Sequence, residues 1–168
     1  MLRRRSSPTT SGILAGFALV LALAVGCRVT FISPYDQVLD QDVSSLQQTT
    51  EAFLTQLSNE VGTPAAAYSS NTDFYVKAQA AIATMETRAT AAGPKSRQIA
   101  TELSALQQTF TDMQKLHQLN GAQGLTAANL SNTKSALESE FSSIITLELA
   151  LKNASTPPAP ALAPAKTQ

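Results

Sequence analysis

The sequence predicts an all-α protein folded as an up-down-up-down four-helix bundle, and three observations predict it. Apolar residues recur at spacings of three and four through four long stretches, the breaks between them are short and carry Gly and Pro, and no stretch alternates as a strand would. Short links make consecutive helices antiparallel neighbours, which sets the up-down order. The bundle is expected over residues 34–153.

For the first helix, Pro34 suits the opening turn, with Ser33 as its N-cap and Asp36 placed to complement the helix dipole. Its stripe is Tyr35, Leu39, Val43, Leu46, Thr50, Phe53, Leu57 and Val61, and Gly62 ends it. The second is predicted over 64–91, restarting at Pro64 and carrying Tyr68, Asn71, Tyr75, Ala78, Ile82, Met85 and Ala89 until Ala92-Gly93-Pro94 breaks it. The third runs from about Ser96 to Leu119 on Ile99, Leu103, Leu106, Phe110, Met113 and Leu116, after which Asn120-Gly121 and Gly124 open a loop. The fourth starts at Thr126 as N-cap and carries Leu130, Leu137, Phe141, Ile144, Ile145, Leu149 and Leu151. Residues 154–168, ending PPAPALAPAKTQ, are read as a disordered Pro/Ala-rich tail, because that composition cannot pack a core.

Ahead of the bundle, Arg3, Arg4 and Arg5 precede an apolar run from Ile13 to Val25. That run of 13 residues is well short of the roughly 20 a membrane-crossing helix needs, so a signal peptide is predicted rather than a permanent span. Ala24-Val25-Gly26-Cys27 resembles the lipobox of bacterial lipoproteins, in which leucine, a small residue, and glycine or alanine precede the cysteine; Ala24 stands where leucine is commonest. The resemblance implies a signal peptide of residues 1–26, cleavage before Cys27, diacylation of the Cys27 sulfur and further acylation of the new amino group. Such an anchor is stable with two or three chains, since each buried CH2 contributes about 0.8 kcal/mol. Residues 27–33 would then be the lipidated cysteine and a short spacer. In Gram-negative lipoproteins an aspartate after the cysteine favours inner-membrane retention; Arg28 stands there, so the resemblance implies the periplasmic face of the outer membrane over the inner membrane.

Charge and composition exclude several function classes. The chain has 12 basic and 12 acidic residues, but three of the basic ones lie in the leader, leaving the mature part net acidic with its Lys and Arg scattered. Nucleic acid is therefore not an expected partner. One cysteine permits no intrachain disulfide. The single histidine, His117, has Gln114 three residues before it, so the Glu-x-x-His pairs of a di-iron bundle are missing, and no zinc-ligand set, Ser-His-Asp arrangement or phosphate loop is marked by spacing. No metal, no cofactor and no enzymatic activity are expected.

Bundle topology sorts the polar candidates by end. Proximal to the anchor are Tyr35, Asp36, Arg88 and Glu148, with Asp40 and Lys152, a recognition site built on an Asp36–Arg88 pair or else solvated helix-end charges. Distal are Tyr68, Asn71, Tyr75 and His117, a small polar pocket or else core-edge groups whose polar tips meet one another. The pieces Phe31-Ile32-Ser33-Pro34-Tyr35-Asp36, Leu46-Gln47 with Phe53-Leu54, Pro64 to Tyr68 with Asn71 and Phe74-Tyr75, Leu116-His117, and Leu147-Glu148 with Lys152 resemble a family of small bacterial lipoproteins of uncharacterised function. That resemblance implies the bundle and the anchor and no reaction. The function expected is that of a membrane-anchored envelope lipoprotein, a non-enzymatic scaffold or binding module for an envelope protein; the alternative is a small-ligand or cell-wall-fragment binder using the distal group.

Overall fold

The start of the first helix is set by a cap. Asp36 is extended, and its Oδ1 accepts from the backbone N–H of Val38 at 3.0 Å and of Leu39 at 3.3 Å, so α1 runs Gln37–Glu60. Asp36 thus takes the cap position expected of Ser33. The computed structural model describes residues 35–156. The signal peptide 1–26, Cys27 and its spacer, and the tail from 157 onward lie outside the described residues.

The described residues are helical throughout their regular structure, with four α-helices and no strand among them. After α1 come two 3-10 turns, Pro64–Ala66 and Tyr68–Ser70, then α2 (Thr72–Ala91), a third turn at Pro94–Ser96, α3 (Arg97–Asn120), a fourth at Gly121–Gln123, and α4 (Ala127–Ser155). The second helix therefore starts later than its apolar spacing predicts. Ala67 is extended between the two turns, and the Asn71 side chain donates to the carbonyls of Ala65 at 2.8 Å and Ala67 at 2.9 Å, holding this segment in a form no α-helix allows. At the other boundary Ala154 and Ser155 continue α4 rather than begin a tail. Thr126 caps α4 as expected, its Oγ1 accepting from Asn129 N–H at 3.2 Å.

Helix α1 packs against α2 and α4, and α3 packs against the same two. All four helices contribute to one core, in which Leu39, Leu57, Ile82, Leu103, Leu106, Phe110 and Leu137 are fully buried. Burying each such side chain stabilises by about 1.5–3 kcal/mol relative to exposure. Phe53 and Phe74 stack with centroids 3.6 Å apart, tying α1 to α2, and Phe110 of α3 lies 6.0 Å from Phe74. Two stripe positions depart from the spacing: Val61 and Leu149 are exposed, and Glu148 occupies the buried place beside Ile144 that an apolar residue would fill.

Candidate functional site

At the end of the domain where α2 begins and α3 finishes, Tyr68, Tyr75 and His117 converge, while Asn71 turns its side chain to the Ala65 and Ala67 carbonyls of the adjoining segment. His117 is fully buried and bonded through both ring nitrogens, Nε2 to the Ala66 carbonyl at 2.7 Å and Nδ1 to the Tyr75 hydroxyl at 2.8 Å. A carbonyl can only accept, so Nε2 carries the hydrogen. In the neutral ring Nδ1 then accepts from the Tyr75 O–H. Burial depresses the His117 pKa below its ordinary value, and the Ala66 carbonyl only partly offsets this, which keeps the ring neutral. Burial likewise pushes the Tyr75 hydroxyl upward, with Tyr68 adding to it, so it stays a donor.

Three glutamines complete this cluster, and spacing alone did not single them out. Gln79 of α2 donates to Gln114 of α3 at 2.7 Å, and Gln114 and Gln118 both donate to the Tyr68 hydroxyl at 2.8 Å. The available signal was that Gln114 and Gln118 are four apart and so share a helix face with each other. Gly124 is the other residue missed. Its φ is +67°, and a Cβ there would come within 2.4 Å of the Ala66 oxygen, so only glycine lets the α3–α4 connection lie against the segment that His117 holds. The resulting arrangement does not match an open polar pocket. Its polar groups meet each other and backbone carbonyls, and none of the surface depressions at α1, α1–α2, α1–α4, α3–α4 or the α2–α3 turn is lined by Tyr68, Asn71, Tyr75 or His117. Chemically it is a clamp joining α2, α3 and the 64–70 segment, interior at His117 and Tyr75 and reaching the surface at Tyr68 and Gln118.

At the opposite end the start of α1 meets the ends of α2 and α4. Arg88 donates to Asp36 through Nε and through Nη2, the latter at 3.0 Å, forming the expected pair in two-pronged form. Partial burial pushes the Asp36 carboxyl up, but Arg88 and the Leu39 and Val38 N–H groups together hold it below its ordinary value. Tyr35 donates to Asp40 Oδ2 at 2.8 Å, and the Lys152 ammonium sits 5.2 Å from the centre of the Tyr35 ring. Glu148 differs from the rest. It is 1% exposed, neither carboxyl oxygen has a hydrogen-bond partner, and burial, with the Asp40 and Asp36 charges adding, pushes its pKa up to about 7.

Among the described residues no three of His, Cys, Asp and Glu are grouped so as to hold a metal ion, and no helix is long and apolar enough to cross a membrane. The α1–α2 surface carries a groove of about 390 Å³ with Leu46, Phe74, Ala78 and Ala81 on its floor and Asp42 and Lys77 on its walls. No protein-family model matches the chain, and no curated protein and no solved structure is significantly similar to it.

Proposed function

We propose that the chain is a lipid-anchored envelope protein, held through Cys27 at the periplasmic face of the outer membrane, whose helical domain is a non-enzymatic scaffold that docks an envelope protein. The leader supports the anchor: Arg3, Arg4 and Arg5, then a short apolar run, then Gly26-Cys27. The ring of packing, α1 on α2, α2 on α3, α3 on α4 and α4 on α1, supports the up-down-up-down bundle, as do the short connections.

The observation that carries the docking reading is the α1–α2 groove. Its floor is apolar, its walls bear Asp42 on one side and Lys77 on the other, and both charges are exposed. That chemistry suits an amphipathic segment of a partner protein laying one apolar row on Phe74 and Ala81 and offering opposite charges to the walls. The polar clusters at the two ends of the domain hold its own elements together and leave this face for recognition.

The test is site-specific photo-crosslinking in cells of origin, with the crosslinker at Thr49 in the groove or at Ser143 on the α3–α4 face. A defined adduct from Thr49, absent from Ser143 and abolished by charge reversal at the exposed Lys77→Glu or by Cys27→Ser, is the expected result. Equal adducts from both faces, or a Thr49 adduct indifferent to Lys77→Glu, would rule out the groove as the docking face.

A further inference from the structure

The geometry points to Glu148 as a proton-operated latch: with its carboxyl protonated the last turns of α4 stay docked on the start of α1, and with it ionised that end of α4 separates.

The placement of charge around Glu148 carries the inference. Both carboxyl oxygens are buried without a donor, so the ionised form has neither water nor a hydrogen bond to receive it. From α1 and its cap the facing groups are Asp36 and Asp40, both acidic, and Tyr35, whose hydroxyl is already given to Asp40. From α2 comes Arg88, engaged by both oxygens of Asp36. At this end the Pro94–Ser96 turn and α3 bury Ser96, Ile99 and Leu103, none ionisable, while Lys95 and Arg97 are exposed and Glu102 lies in a depression on the outer α3–α4 face. On α4 itself Lys152 is exposed and rests over the Tyr35 ring. An ionised Glu148 therefore meets two like charges and no free cation among the described residues.

The end of α4 is the part that can yield. The start of α1 is pinned by the Asp36 cap and by Arg88, whereas beyond Glu148, among the described residues, helix α4 keeps only Leu151 packed on the core and Lys152 over Tyr35. Leu149 is exposed and contributes nothing to the seam. Separation by about one helical turn gives the carboxylate water and relieves its repulsion with Asp40. A protonated carboxyl needs no such relief. Because the carboxyl titrates near neutrality in the docked form and near 4.5 when free, the change falls between mildly acidic and mildly alkaline conditions.

The experiment is hydrogen–deuterium exchange by mass spectrometry on the full-length chain at pH 5.5 and pH 8.5, corrected for the intrinsic rate. Peptides covering 146–155 are read against peptides from the middle of α3. In the wild type the α4 end should lose protection by on the order of tenfold at the higher pH relative to α3, a change that follows from the displaced pKa. Glu148→Gln, which keeps the shape and removes the charge, should be equally protected at both values. Glu148→Met provides the same reading if the glutamine variant does not fold. Equal wild-type protection at the two values, or a loss that persists in the uncharged variants, would overturn the latch.

Discussion

His117 shows how a lone histidine can be structural. Its two nitrogens join the Ala66 carbonyl to the Tyr75 hydroxyl, so removing either partner strands a buried polar atom. Tyr75→Phe should cost about 1–2 kcal/mol in urea unfolding, because Nδ1 loses its donor while the ring packing is retained. His117→Ala should cost about 3–5 kcal/mol, since it opens a cavity and leaves both partners unpaired. Equal losses from the two variants would contradict this division. That Tyr68, Tyr75 and His117 lie at one end of the domain was legible from apolar spacing and the expected up-down order; Asn71 bonds to the backbone of the 64–70 segment instead. What spacing could not show is that their hydrogen bonds close inward, because that depends on a backbone carbonyl turned sideways in the 64–70 segment. Glu148 was named among the proximal polar groups, but its burial was hidden for the opposite reason. It continues the stripe Leu137, Phe141 and Ile144, but a carboxylate at a stripe position reads as a surface group, and Leu149 beside it reads as core.

At the scale of elements, the four helices were legible because each buries one stripe, and their ends were less so because caps and turns decide them. Asp36 serves two structures at once, the N-terminus of α1 and the tie to α2. Asp36→Ala should therefore destabilise by about 1–2 kcal/mol, whereas Arg88→Ala, which breaks a solvent-screened pair and leaves the cap in place, should cost less; equal losses in denaturant titrations would argue against the cap. The α3–α4 connection depends on Gly124 in the same local way. Gly124→Ala should cost about 2–4 kcal/mol, more than Gly93→Ala, where φ is +101° but a Cβ meets nothing within 4 Å. Thermal unfolding of the two variants, compared with wild type, checks that order.

For the molecule as a whole, His117 and Glu148 respond to pH with opposite sign. The His117 pKa lies below its ordinary 6.5, so the unfolded chain binds the extra proton first and stability is lost as pH falls below that value. Glu148 is raised from 4.5 to about 7, so the folded chain holds its proton longer. The stability it contributes is complete below about 4.5 and lost as pH rises through about 7, and the raised Glu140 carboxyl acts in the same direction. Asp36, held below its ordinary value, adds to the loss on acidification. In urea midpoints across pH, Glu148→Gln should therefore flatten the alkaline limb, and His117→Gln should reduce the acid limb without abolishing it. A curve whose alkaline limb is unchanged by Glu148→Gln would place that titration elsewhere. The domain so described is proposed to work at a membrane, and that claim rests on Cys27. Its most direct test is the intact mass of the membrane-extracted protein beside that of Cys27→Ser. The account predicts a wild-type chain that lacks residues 1–26 and carries acyl mass that the variant loses; a wild-type chain that retains its leader, or carries no acyl group, would contradict it.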